Sequence, residues 1–443
     1  MKYLSILSLS IITGILSFTP VFGSIEDDSI LTELEINNLE EIEAEAFTLK
    51  SFASCEDLET VTSNFLKNYK TQPYYRSGPI FFNDTFQTQS LSDDAVEESV
   101  VSQKSGNESG GAGGDFSGTN EQVAGVSESE IIKTDGEYIY YIADYYDQEN
   151  ESADYPEDEI QSYQDRQKKD IYIVQADTLE IVKKIALPKH FWGTQLYLQG
   201  DTLVILATGQ PSGKFQAQYW DNSQKTYTII YDVANPAQAE LKKVYMSEGS
   251  FSKSRLIDNT LYVISQKNIY SYLDNVKEAD ISAEDIIPKG LEIIATDDTS
   301  KQNVDLNGKT QSYNVVSGYV SQCDSVEYIL PDADTDLGYP AMHMISTIDI
   351  SDITKPSETK LLFGNIAEVY MSLENLYITS RVHKTDAFRC GPNMACIAPW
   401  YFGGTNHTLI HKLSVADDLS YQTSALVSGN PLTQYSMDEY QDH

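Results

Sequence analysis

The chain has 443 residues, 67 of them Asp or Glu and 30 Lys or Arg, which gives a formal net charge of −37 at neutral pH. A surface this acidic repels phosphate backbones and anionic headgroups, so nucleic acid and anionic lipid are poor candidate partners. The apolar content of 41% is that of an ordinary globular protein, and the length provides for a large core in one or two structural units.

Residues 1–23 place Lys2 ahead of an apolar run from Tyr3 to Phe18, with small residues near Gly23. That run is shorter than the roughly 20 residues of a membrane-spanning helix. The pattern is that of a secretory signal cleaved near Gly23 or Ser24, and no later segment approaches the length of a span. The expectation is an exported protein, extracellular or periplasmic.

Residues 24–86 form an acidic N-terminal segment; between Ser24 and Ala46 nine carboxylates occur and no Lys or Arg. Further on, Ser54 is placed to cap a helix with Asp57 at its third position, and Leu58, Val61, Phe65 and Leu66 share one face. This predicts a short helix from Cys55 to Asn68. Residues 87–118, rich in Ser, Gly, Asp and Glu and containing GNESGGAGG, read as a flexible linker. No strand precedes those glycines and no Lys-Ser/Thr follows, so they are not a phosphate loop.

From residue 119 to residue 443 the chain repeats itself. Alternating apolar pairs surround short turns in IIKTDGEYIYYI at 131, LYLQGDTLVILAT at 196, SRLIDNTLYVIS at 254 and VYMSLENLYITS at 369. The turns are Asp135-Gly136, Gly200-Asp201, Asp258-Asn259 and Glu374-Asn375, residues that suit two-residue hairpin loops because most of them tolerate positive φ. A second pair follows each opening hairpin: DIYIVQADTLEIVKKIAL at 170, TIIYDVANPAQAELKKVY at 228, STIDISDITKPSETKLLF at 346 and TLIHKLSVADDLSYQTSA at 408. Four strands per repeat imply an all-β fold, a β-propeller of about four four-stranded blades, with a long insertion in the third from Asn268 to Ala341. The 30 tyrosines fit stacked blades, supplying apolar area with a hydroxyl that reaches an edge.

Cys55, Cys323, Cys390 and Cys396 are the four cysteines. Cys390 and Cys396 enclose a short loop with Gly and Pro, which predicts a local disulfide, whereas Cys55 with Cys323 is a distant and less expected pair. Zinc is disfavoured, since no CxxC spacing occurs. Two acidic stretches are candidate calcium sites: the loop from Asp144 to Glu159, with eight carboxylates, and Asp332, Asp334 and Asp336, which alternate before Gly338. The second departs from the EF-hand pattern, with His343 where a Glu is required. His407 and His411 lie on one face of a strand, too far apart to share a metal, and read as structural. Trp192, Trp220 and Trp400 read as packing residues more than as ligand-stacking ones. There is no GxSxG elbow, and no carboxylate pair stands out for glycoside chemistry.

Three stretches, LKSFASCEDLETV at 49, TNEQVAGVSESEIIKTDGEYIYYI at 119 and TLIHKLSVADDLSYQTSALVSGNPLTQYSMDEYQ at 408, with SAEDIIPKG at 282 as a weaker fourth, resemble secreted bacterial and archaeal proteins carrying a C-terminal β-propeller domain distantly related to WD40 repeats. The resemblance implies export and the propeller fold and supplies no catalytic set. In that family a segment like QYSMDEY opens a further blade, so the resemblance also implies a propeller incomplete at its C-terminus. Two functions follow as expectations. One is a binding module that engages an extracellular protein or glycan through blade loops; the other is an exported polysaccharide hydrolase or lyase with carboxylates on the central face.

Overall fold

The computed structural model describes residues 48–71, 121–146, 167–188, 191–210, 224–269, 281–298, 302–306, 309–328, 335–336, 341–385 and 404–440. The signal segment, the 24–46 stretch, the 87–118 linker, Cys390 and Cys396 lie outside them.

In chain order, β1 (Lys50–Ser51) precedes α1 (Cys55–Thr71), and β2 (Val126–Ser127) leads into the first repeat. That repeat is one four-stranded antiparallel sheet, β3 (Ile132–Thr134), β4 (Tyr138–Tyr146), β5 (Gln167–Gln175) and β6 (Ile181–Ala186). Blade 2 comprises β7 (Phe191–Gln199), β8 (Thr202–Gly209), β9 (Lys225–Asp232) and β10 (Glu240–Glu248). Blade 3 opens with β11 (Ser250–Ile257) and β12 (Thr260–Asn268), then leaves for the insertion. The insertion holds α2 (Ala283–Ile286), β13 (Lys289–Ala295), β14 (Gln302–Leu306), β15 (Lys309–Tyr319), β16 (Val326–Tyr328) and β17 (Thr335–Asp336). Blade 3 resumes with β18 (Ala341–Asp349) and β19 (Glu358–Gly364). Blade 4 is β20 (Val369–Met371), β21 (Asn375–Thr385), β22 (Gly404–Ser414) and β23 (Ser420–Ser428).

The four expected repeats are therefore four sheets, and the insertion begins and ends where the sequence places it. Two of the four opening turns are two-residue loops: Gln199 faces Thr202 across Gly200-Asp201, and Ile257 faces Thr260 across Asp258-Asn259. Gly200 and Asp258 take positive φ there. The other two are longer. Asp135 Oδ1 accepts the N–H groups of Glu137 and Tyr138, and Ser372 Oγ accepts those of Glu374 and Asn375. Side-chain oxygens thus replace the tight-turn backbone at these two loops.

Alternation along each strand explains the stacking. Leu203 and Ile205 enter one buried cluster with Tyr140, Ile171 and Ile173 of blade 1; Val204 and Leu206, one residue on, enter another with Leu261, Val263 and Ile348 of blade 3. Both faces of β8 are apolar, so the sheet is stable only between two neighbours. Blades 3 and 4 join likewise through Ile264, Ile345 and Leu362 against Leu376, Ile378 and Leu413. Among the described residues no buried apolar cluster joins blade 4 to blade 1, and Ile132 and Ile181 of blade 1 are 53% and 58% exposed.

The insertion reinforces two outer edges. β13 pairs with β10, and β15 and β14 follow, so the third repeat lends its neighbour three strands. β16 then runs parallel to β19, and β1 adds itself outside β16. The chain ahead of α1 is thereby drawn onto blade 3, where Phe52 is buried against Tyr328 and Phe363. α1 is three residues longer than expected and is capped as its sequence demands: Ser54 Oγ accepts the Asp57 N–H, and Asp57 Oδ2 accepts that of Ala53. Leu58 and Thr62 of α1 are buried, and its Glu59 accepts the Ala283 N–H at 2.7 Å, capping α2.

This placement corrects the reading of the cysteines. Cys55 is bonded to Cys323 across 268 residues, with Cα atoms 5.0 Å apart. Sequence spacing argued against the pair, but the pairing of β1 with β16 brings the start of α1 to the turn at Cys323–Ser325. The described residues include no helix long and apolar enough to cross a membrane.

Two stability predictions follow from this geometry. Gly249 turns from blade 2 to blade 3 at φ +100, and an added Cβ would lie 2.5 Å from the Gln266 carbonyl oxygen. Gly249→Ala is expected to cost about 2–3 kcal/mol in urea denaturation. Cys323→Ser is expected to cost about 2–5 kcal/mol and to raise amide exchange over residues 50–64, because the long covalent loop no longer restrains the unfolded chain.

Candidate functional site at the convergence of the blades

The first strands of the blades converge on two segments of the chain. Residues 121–130 cross β11, where Ser127 and Val126 face Leu256 and Ile257, and then meet β7, where Glu130 and Leu196 exchange hydrogen bonds of 3.1 and 2.7 Å. They continue directly into β3. The turn that starts this crossing needs Gly125 at φ +84, and Glu121 holds it by accepting from the Gly125 N–H and the Ser127 hydroxyl. From the other side, the turn at Gln434–Ser436 packs against β20.

Polar side chains from both segments meet at Arg255. Its Nη2 lies 3.0 Å from Glu128 Oε1 and donates to Gln434 Oε1 at 2.9 Å, while Nη1 donates to the Ser254 carbonyl at 2.7 Å. Gln434 Nε2 returns a bond to Glu128, and Gln122 donates to the carbonyls of Gln434 and Met437. Farther along, Tyr370 donates to Asp438, and Asn375 donates to Glu439 at 2.7 Å. Arg255 and Glu128 thus neutralise each other at this centre, as a poorly hydrated ion pair requires.

Beside Arg255 runs a chain of hydroxyls. Tyr197 and Ser254 are 2.9 Å apart, Ser254 donates to Ser129 at 3.2 Å, and Ser129 donates to Gln195. Burial pushes the Tyr197 phenol up to about 12, with Ser254 and Arg255 acting weakly the other way. The phenol is therefore protonated at neutral pH. Lys133 lies 6.0 Å from the Tyr197 ring and donates to the Glu128 carbonyl; burial lowers its pKa while Glu130, Glu121 and Glu128 partly restore it. The two serines are bonded to hydroxyl and amide groups and not to an imidazole or carboxylate, so neither is activated as a nucleophile. The nearest carboxylate–hydroxyl contact in this region is that of Glu121 with Ser127, and it serves the turn at Gly125.

A second charged cluster anchors the insertion. Glu248 accepts from Lys267 at 2.8 Å and from the Lys289 N–H at 3.2 Å, with Lys225 at 3.5 Å. Burial lowers the Lys267 pKa, with Glu248 opposing.

The sites expected from sequence fall elsewhere. Asp332 and Asp334 lie outside the described residues, and Asp336 pairs in register with His383 through β17 and β21. No group of three metal-binding side chains converges among the described residues. Of the acidic loop only Asp144 is described up to Tyr146, and Asp144 is paired with Lys169 at 2.5 Å. His407 and His411 are buried on β22, and Trp192 is 36% exposed. Trp220 and Trp400 lie outside the described residues. Arg255, Tyr197 and Gln434 were missed because each sits in an ordinary strand or turn and meets its partners only through contacts as distant as Arg255 to Gln434, 179 residues apart.

Arg255→Ala is expected to lower stability by about 3 kcal/mol, leaving Glu128 and Gln434 without their common donor. Amide exchange across 432–440 should rise with it. Arg255→Lys should restore little, because one ammonium cannot span the Ser254 carbonyl and the Glu128–Gln434 pair as the guanidinium fork does.

None of the curated proteins compared with the chain matches it. Residues 116–443 match the model of the beta propeller domain, a span that starts just ahead of the crossing segment and includes all four blades. The chain belongs to the beta propeller domain family.

Proposed function

We propose that this chain is a binding module at the cell exterior, which engages a protein or glycan through the loops of its blades. The observation that carries this reading is the occupied centre. Residues 121–130 and 434–439 fill the place where the first strands converge, and Arg255, Glu128 and Gln434 are bound to one another. Ligand contact is thereby directed to the rim. Trp192, at the start of β7, is 36% exposed and presents a large amphipathic side chain of the type that dominates binding energy at interfaces. The Cys55–Cys323 disulfide and the apolar N-terminal run support export, since disulfides persist in oxidising compartments. The alternative, an exported hydrolase or lyase, would draw on the carboxylates at the central face, of which Glu128 is held in an ion pair with Arg255.

The test uses the exported protein immobilised against a panel of polysaccharides and envelope proteins. Binding is expected to survive Glu128→Gln and to weaken at least about tenfold in Trp192→Ala. Turnover of any polysaccharide that is lost in Glu128→Gln would overturn the reading in favour of catalysis at the centre.

A further inference from the structure

Blades 3 and 4 enclose a small cavity walled by Leu49, Leu362, Ile366 and Ile378 and by two imidazoles, His343 of β18 and His411 of β22. The imidazoles are 2% and 1% exposed. His343 Nε2 accepts the Ile366 N–H at 3.2 Å, and its ring is also bonded to the Gly364 backbone. His411 Nδ1 lies 2.6 Å from Ser424 Oγ, which Tyr421 approaches at 2.8 Å, while His411 Nε2 has no hydrogen-bond partner. Among the described residues no carboxylate or amine lines the cavity. Elsewhere on this seam Lys253 is paired with Glu368 at 2.5 Å and Lys360 with Glu327 at 2.7 Å, and His407 is buried farther along β22.

We infer that the seam between blades 3 and 4 is an acid-operated joint, in which proton uptake by His343 and His411 parts the two sheets and uncovers the apolar residues between them. The chemistry follows from the hydrogen bonds. Protonated His343 would turn Nε2 into a donor facing the Ile366 N–H. Protonated His411 would carry an Nε2–H into an apolar wall, and the two charges would share one cavity without a counter-ion. Burial accordingly holds both imidazoles down at about 4, against 6.5 for the free side chain. The sign is set by that depression. Above about 6.5 neither state binds the extra protons and the closed seam is fully favoured. Between 6.5 and 4 the open state binds more protons, so closure weakens as the pH falls; below 4 the effect stops growing.

Between pH 6.0 and 5.0 each histidine multiplies the opening constant by about seven, and the pair by about fifty. The experiment is hydrogen exchange on the full chain between pH 6.0 and 5.0, corrected for intrinsic rates, for the wild type, His343→Gln and His411→Gln. Protection over 341–349, 369–385 and 404–414 should fall about fiftyfold across that pH unit in the wild type and about sevenfold in either variant. Equal slopes in all three proteins, or loss of protection spread evenly over blades 1 and 2, would overturn the joint. Should a variant fail to fold, NMR titration of the wild-type imidazoles decides: both should remain neutral at pH 5.5, and titration of either near 6.5 would refute the inference.

Discussion

Everything in this fold depends on sheets that are apolar on both faces. In β8 consecutive residues Leu203, Val204, Ile205 and Leu206 are all fully buried, two toward blade 1 and two toward blade 3. Such a strand has no side to give to water, so it forces stacking, and the right-handed twist of each sheet turns stacking into a radial arrangement. Fully burying each of these side chains contributes about 1.5–3 kcal/mol, far more than any surface ion pair in this acidic chain. Polar groups are left to the loops, the outer edges and the place where the first strands converge.

That inner place is where the same constraint creates a difficulty. The first strands splay apart, and their polar side chains would face each other across a gap. Here two segments of the chain lie along those strands, with Glu128 and Arg255 neutralising each other, Gln434 hydrogen-bonded to both, and the Tyr197–Ser254–Ser129 hydroxyls forming a continuous chain. Since the two segments come from the two ends of the four-blade array, they tie the first blade to the last through side chains and short bridges, with no shared apolar seam among the described residues. The resulting connection is polar and specific. It orients the ends and adds little hydrophobic stabilisation.

What the sequence disclosed and what it withheld divide along the range of the interactions. The hairpins were legible because Gly200-Asp201 and Asp258-Asn259 carry the backbone requirement of a tight turn in their own residue types. The cap on α1 was legible for the same local reason. By contrast, nothing in the residues from Lys289 to Tyr319 says that these strands belong to the second blade when the chain is midway through the third. The Cys55–Cys323 bond was equally hidden, because it depends on a parallel pairing, β16 on β19, that no turn announces. The convergence of Arg255 on Glu128 and Gln434 likewise needs the completed topology.

The long-range additions have a common physical purpose at the outer edges. An outermost strand presents unpaired N–H and C=O groups to any passing strand, a hazard that proteins blunt with charge or cover. β6 carries Lys183 and Lys184. The edge of blade 2 is extended by β13, β15 and β14, and that of blade 3 by β16 and β1. A cover as short as Lys50–Ser51 contributes only two paired residues and would fray by itself. Phe52 and Leu58 anchor it by burial, and the disulfide at the first residue of α1 keeps the anchor from drifting when those contacts open. The strap also supplies Leu49 to the wall of the cavity that holds His343 and His411. The covalent tie on the outer edge and the buried imidazoles between blades 3 and 4 therefore act on one structural unit, and loosening the strap would hydrate the histidines and raise the pH at which their seam opens.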